Sequence, residues 1–176
     1  MKSSYTNTDI DYGDIIRSIA FSHSPKIIVE IGILDGFSLE NFANSTSPNT
    51  KILAYDIFDE FNGNSANLEE LKHKFRDDPR ITIEYGDFYK LNNIIPGNVD
   101  IIHVDIANDG DIYEFAVKNY LNLLSKNGIL LLEGGSPERD EVEWMKKYNK
   151  TPINPVLKKF NSINIGNVPS LTLIKE

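Results

Sequence analysis

Five carboxylates stand at or just past the ends of short apolar runs: Glu30, Asp56, Asp87, Asp105 and Glu133. A carboxylate can accept two hydrogen bonds from a cis-diol, hold an amine or take up a proton. Glu30 opens the stretch Glu30-Ile31-Gly32-Ile33-Leu34-Asp35-Gly36-Phe37-Ser38, in which Gly32 permits a tight turn and Gly36 close packing at the start of a helix. Asp56 follows roughly 25 residues later, a spacing suited to ribose hydroxyls. In Gly86-Asp87-Phe88 the acid could take an exocyclic amine and the ring could stack on a base. Each position also has a plain reading, as a surface acid at a strand end or a glycine serving a turn.

A second group lies further on. His103 and Asp105 alternate on one run, and Glu133 ends another before Gly134-Gly135-Ser136-Pro137-Glu138-Arg139. Asp105 could hold a ligand's amino group or act as general base, alone or with His103. It could also join Asp109 and Glu133 around a divalent ion, since hard cations take oxygen ligands. His103 has the competing reading of a packed strand residue. Arg139 presents a planar fork that could bind a substrate carboxylate or phosphate; the competing reading is a surface ion pair with Glu138 or Glu143. Trp144 and Tyr148 read as helix packing.

Composition narrows the choices. The chain has 176 residues, room for one core, and its domain reading is a single unit over 1–176. Segment 1–11, with Tyr5 in it and Tyr12 just past it, reads as a flap over the site or a frayed, flexible end. A net charge of -8 and no basic stripe disfavour a nucleic-acid partner. The absence of cysteine excludes disulfides and thiolate chemistry. No apolar run reaches the roughly 18 residues of a membrane helix, so a soluble, cytoplasmic protein is expected. The many asparagines read as coding bias and are set aside as site candidates.

The elements that must position these groups alternate. Strands are expected at Lys26–Ile31, Lys51–Asp56, Ile81–Tyr85, Val99–Val104 and Gly128–Leu132, with starts roughly 20–30 residues apart. Helices are expected at Tyr12–Phe21, Ser38–Asn44, Asn67–Arg76, Tyr113–Leu124 (ended by Asn127-Gly128) and Pro137–Tyr148. Phe160–Ile165 and Ser170–Lys175 read as a terminal hairpin. The fold class is α/β: a Rossmann-like doubly wound sheet, mostly parallel, with an antiparallel C-terminal hairpin. Ligands of such sheets bind at the carboxyl ends of the strands, where these acids fall.

The ordered set resembles the class I S-adenosylmethionine-dependent methyltransferases. Glu30-Ile31-Gly32-Ile33-Leu34-Asp35-Gly36 matches their first motif, Asp56 their ribose acid, Gly86-Asp87 their adenine pair and Asp105 their fourth-strand acid. Gly36-Phe37-Ser38 is most similar to the small-molecule O-methyltransferase branch. The resemblance implies seven strands and S-adenosylmethionine as cofactor. It would be held by Glu30, Gly32, Gly36, Asp56, Gly86, Asp87, Phe88 and Asp105, with Ile33, Ser38 and Ile57 beside them. It implies a small-molecule acceptor, a hydroxyl before an amine, with a sugar or nucleotide sugar as the guess, and a homodimer as a common state. Candidate catalytic residues are Asp105, Glu133 and His103; Glu133 and Arg139 are candidate substrate contacts. Mg²⁺ is disfavoured, because Glu133-Gly134-Gly135 stands where metal-dependent relatives carry Asp-Asp or Asp-Asn. The alternatives are an NAD(P)-dependent reductase, which lacks its G-x-G-x-x-G here, and a non-catalytic nucleotide-binding or assembly module.

Overall fold

The computed structural model describes residues 11–60 and 64–175. Tyr5 and the rest of segment 1–10 lie outside the described residues. The strands are β1 (Ile27–Ile31), β2 (Lys51–Asp56), β3 (Ile81–Tyr85), β4 (Val99–Val104), β5 (Leu124–Glu133), β6 (Ser162–Gly166) and β7 (Ser170–Ile174). They form one sheet in the order β3-β2-β1-β4-β5-β7-β6. The first five are parallel; β7 runs antiparallel between β5 and β6, as the hairpin reading requires.

The apolar runs have side chains on both faces, and the two-residue period sorts them. Ile28, Ile52, Ile101 and Leu131 pack under α1 (Tyr12–His23) and α2 (Phe37–Ser45), against Ile16, Ala20, Leu39 and Phe42. Their neighbours Val29, Ile102, Leu130 and Leu132 face the other way. There Phe88 of α4 (Phe88–Leu91), Tyr113 and Tyr120 of α5 (Gly110–Tyr120), and Ile153 and Leu157 of α8 (Ile153–Leu157) cover them. The sheet order reverses between β1 and β4, and a crevice opens at such a switch point.

The largest boundary differences from the sequence reading lie in the second half of the chain. The helix expected to run to Leu124 ends at Tyr120, and Leu121–Leu123 is a 3-10 turn. Asn127-Gly128 therefore does not cap a helix but lies inside β5. A side chain at Gly128 would come within 2.7 Å of the Val99 carbonyl oxygen, beside the register shift between Val99 and Ile101. The single helix expected over Pro137–Tyr148 is two, α6 (Pro137–Asp140) and α7 (Glu143–Lys147). Asp140 turns its carboxylate to the backbone N–H groups of Ile153 and Asn154 and so caps α8. The four- and five-residue α4 and α8 are too short to show a helical period. The third helix, α3 (Leu68–Lys74), starts as expected with the Asn67 side chain accepting from Glu70 N–H.

Candidate active site

The ends of β1 and β4 pass each other very closely, and glycine is what allows it. Gly32 has φ +94°, and a Cβ there would sit 2.0 Å from the Asp105 carbonyl oxygen. Gly32 N–H donates to Tyr55 C=O at 2.8 Å and Asp105 N–H donates to Ile31 C=O at 2.9 Å, so the loops extend the ladder past the strands. The turn then runs into α2 through Gly36, φ +83°, whose missing side chain leaves room for the Phe75 ring.

Asp56 is the hub of the next loop. One carboxylate oxygen accepts from Ile33 N–H at 2.7 Å and Leu34 N–H at 3.4 Å. The other accepts from Phe58 N–H and from the Asn64 side-chain amide, each at 2.7 Å. Asp87 accepts from Tyr89 N–H at the start of α4 and pairs with Lys90 at 2.9 Å. The Lys90 hydrogen bond, with that of Tyr89 N–H, holds its carboxyl below the usual range.

Between these loops lies a cavity of about 520 Å³, within the size range of small-molecule sites. Of the sequence candidates, Gly32, Ile33, Asp56, Ile57, Gly86, Asp87, Phe88, Asp105 and Asp109 line it. Asn64, Tyr89, Asp111 and Lys150 line it too, and none of them is a site candidate in the sequence reading. Lys150 bonds to Asp109 at 3.1 Å, and Asp109 in turn caps α5 through Asp111 N–H and Ile112 N–H. Nothing local in the sequence joins Lys150 to an acid 41 positions earlier. Asn64 and a second asparagine, Asn108, were discounted with the rest. Asn108 is fully buried and its amide donates to the Val104 and Glu133 carbonyls, tying the ends of β4 and β5 together.

Six other candidates, Glu30, Gly36, Ser38, His103, Glu133 and Arg139, lie outside the cavity's lining. Glu30 and His103 face each other across β1 and β4, both fully buried. His103 Nδ1 is 3.6 Å from Glu30 Oε1, its Nε2 is 3.3 Å from the Tyr12 hydroxyl, and Ser38 donates to the same Glu30 oxygen. The Phe42 ring packs edge-on against the imidazole. This group sits under α1 and α2 as a buried polar cluster. Glu133 and Arg139 form a second one. The guanidinium Nε donates to one Glu133 oxygen and Nη2 to the other, both at 3.1 Å, and Nη2 also donates to Asn108 C=O. Arg139 stacks on Trp144 at 4.6 Å and is 3% exposed. It is therefore neither a substrate contact in this lining nor the surface partner of Glu138 or Glu143.

Asp105 stands between the two clusters at the floor of the cavity. Burial pushes its carboxyl up to about 7; the Glu133 charge adds to the rise, His103 opposes it, and Glu30 adds again. A carboxyl so placed exchanges its proton near neutral pH. The set Asp105, Asp109 and Glu133 does not fit a metal ion, because Arg139 bridges Glu133 and Lys150 holds Asp109. Among the described residues no group of three or more acids and histidines is placed to bind one.

A family model described as "Methyltransferase domain" matches residues 29–133, from β1 through the end of β5. The chain belongs to the methyltransferase family. The matched span holds the glycine loop, Asp56, Gly86-Asp87, Asp105 and Glu133. Solved structures share the chain's fold. The SAH-bound methyltransferase PaMTH1 of Podospora anserina superposes with a TM-score of 0.69 at 20% identity, over 93% of this chain and 76% of that one. The Bacillus cereus O-methyltransferase in complex with SAH gives 0.68 at 11% identity, over 99% and 84%. TomG of Streptomyces achromogenes, an O-methyltransferase involved in tomaymycin synthesis solved with SAM, gives 0.64 at 14% identity, over 93% and 79%. No curated protein matches the sequence. Among the described residues no helix of this methyltransferase is long and apolar enough to cross a membrane.

Proposed function

We propose that this methyltransferase uses the cavity at the ends of β1 to β4 to bind S-adenosylmethionine, and moves its methyl group to the hydroxyl of a small molecule. The observation that carries the proposal is that Asp56 and Asp105, at the ends of β2 and β4 on either side of β1, open on one cavity of about 520 Å³. Asp56 would take the ribose hydroxyls, Phe88 and Ile57 supply apolar surface for the base, and the Gly32 turn lets backbone approach the ligand closely. The bound cofactor supplies an electrophilic methyl group on a sulfonium.

Asp105 is the proposed general base. It accepts the acceptor's hydroxyl proton as the new O–C bond forms and the electron pair of the old S–C bond returns to sulfur. A carboxyl near 7 is matched to that task at neutral pH. His103 and Glu133 act on Asp105 by charge from behind it. The lining carries Asp56, Asp87, Asp105, Asp109 and Asp111 against Lys150, which is itself engaged by Asp109. That balance supports an uncharged acceptor such as a sugar over one bearing a diphosphate. A metal-free reaction fits the occupied Glu133 and Asp109. The nicotinamide and non-catalytic readings gain no observation of their own.

The test is the pH dependence of single-turnover methyl transfer. A base must be ionised to act, so the rate should rise with pH and level off above about 7. Asp105→Asn should lower the rate by about 10²–10⁴-fold and remove that rise. A variant with a wild-type rate and profile would show that Asp105 only holds the cofactor.

A further inference from the structure

The Asp56 carboxylate has no acceptor capacity to spare. Two oxygens offer about four lone-pair sites, and four donors reach them: Ile33 N–H, Leu34 N–H, Phe58 N–H and the Asn64 amide. Three of these are backbone groups. Ile33 and Leu34 belong to the turn after β1, and Phe58 begins the 3-10 turn after β2. Removing any of them means rebuilding a loop. The fourth is one side chain on a partly exposed residue that also lines the cavity.

The orientation of that amide is fixed from both sides. Asn64 Oδ1 accepts from Ala66 N–H at 2.9 Å, and Nδ2 donates to Asp56 at 2.7 Å. Flipping the amide would oppose donor to donor at Ala66 and acceptor to acceptor at Asp56. Asn64 thus presents to Asp56 an N–H donor in the role a hydroxyl donor would fill, from within the same cavity.

We infer that Asn64 is a displaceable stand-in for a ribose hydroxyl, so that nucleoside binding exchanges the Asn64 amide off Asp56 and frees the turn at Asn64–Ala66. The inference rests on the reading of Asp56 as the ribose acid. It makes Asn64 a residue that sets cofactor affinity by competition. The backbone donors keep Asp56 aimed whether or not Asn64 is present. Displacement sacrifices a hydrogen bond to a charged group, and cofactor affinity is reduced by whatever part of it is not recovered from water.

The test is calorimetric titration of S-adenosylhomocysteine into the wild type, Asn64→Ala and Asp56→Asn, with thermal unfolding confirming that each variant folds. Asn64→Ala should bind about 3–10-fold more tightly, a gain of up to about 1.4 kcal/mol. Asp56→Asn should bind much more weakly. Unchanged or weaker binding by Asn64→Ala, with Asp56→Asn impaired, overturns the inference and leaves the ribose reading standing. Wild-type binding by Asp56→Asn overturns both. An independent readout is amide hydrogen exchange at Ala66, whose N–H bonds to Asn64. Exchange there should speed up on ligand binding in the wild type, and slower exchange contradicts the displacement.

Discussion

The two halves of the strand-end crevice are built from different materials. At β1 to β3, backbone N–H groups supply most of the bonds to the acids: Ile33, Leu34 and Phe58 donate to Asp56 and Tyr89 to Asp87, with Asn64 and Lys90 as the side-chain partners. At β4 and β5, charged side chains hold one another, Glu133 with Arg139 and Asp109 with Lys150, and His103 of β4 faces Glu30 of β1. Backbone donors carry no charge that can be lost and come with the turn itself. Side-chain partners supply full charges, and beside its burial those of Glu133, His103, Glu30 and Arg139 move the proton affinity of Asp105. One half is suited to holding a ligand in place, the other to adjusting an acid–base group.

The sharpest way to separate the halves is Arg139→Ala. It leaves the 1%-exposed Glu133 without its guanidinium, and breaking one side of a buried ion pair costs about 3–5 kcal/mol. For a chain of this size that lowers the unfolding midpoint by roughly 6–20 °C. A drop of only a degree or two would mean that the pair is not a structural clamp.

Gly32→Ala should come next. Its Cβ meets the Asp105 carbonyl oxygen at 2.0 Å, in a backbone conformation that L side chains avoid. Strain of this kind costs about 1–3 kcal/mol, and the turn that approaches the ligand must shift. Denaturant unfolding and cofactor titration should therefore both show a loss. A loss of binding with unchanged stability would place the strain only in the bound state.

Lys150→Ala should have the smallest effect. The lysine is one-third exposed, and such pairs contribute about 0–1 kcal/mol. Asp109 keeps its backbone bonds to α5. The expected change is a few tenths of a kcal/mol, shrinking further with added salt. A large change would move Lys150 from the rim to the centre of the site.

Asp105 also links the charged half to stability against pH. Its folded-state carboxyl sits near 7, well above the ordinary value of 3.8. The folded chain therefore binds the proton more tightly than the unfolded chain does. Its contribution is present below about pH 4 and is lost as pH rises toward 7.

The same contrast explains how far the sequence could be read. The β1 to β3 half was legible because its parts are local: glycines at turns, and acids placed by strand ends at regular spacing. All of Gly32, Asp56, Gly86, Asp87 and Phe88 meet at one cavity. The sheet was legible for the same reason, since continuous apolar runs such as Ile27-Ile28-Val29 announce strands covered on both faces. Partner choice in the other half was not. Arg139 offered a surface reading and a substrate reading, but its position six residues past Glu133, after the Gly134-Gly135 turn, folds it back onto that acid. Lys150 reaches Asp109 only through the packing of α8 on α5. Asn64 and Asn108 were hidden by abundance, because composition says nothing about which asparagine has a carboxylate or two strand ends to tie. Asn127-Gly128 misled because the same pair suits a helix end and an irregular strand, and β5 needed the second.

The most direct test of the central claim is thermal unfolding of the wild type with S-adenosylmethionine, S-adenosylhomocysteine or NADPH, each with and without Mg²⁺. A ligand at about a hundred times its dissociation constant adds roughly 2.7 kcal/mol, a rise of several degrees for this size. The account predicts that rise with both adenosyl ligands, none with NADPH, and no further gain from Mg²⁺. A rise with NADPH alone, or none with either adenosyl ligand, would contradict it.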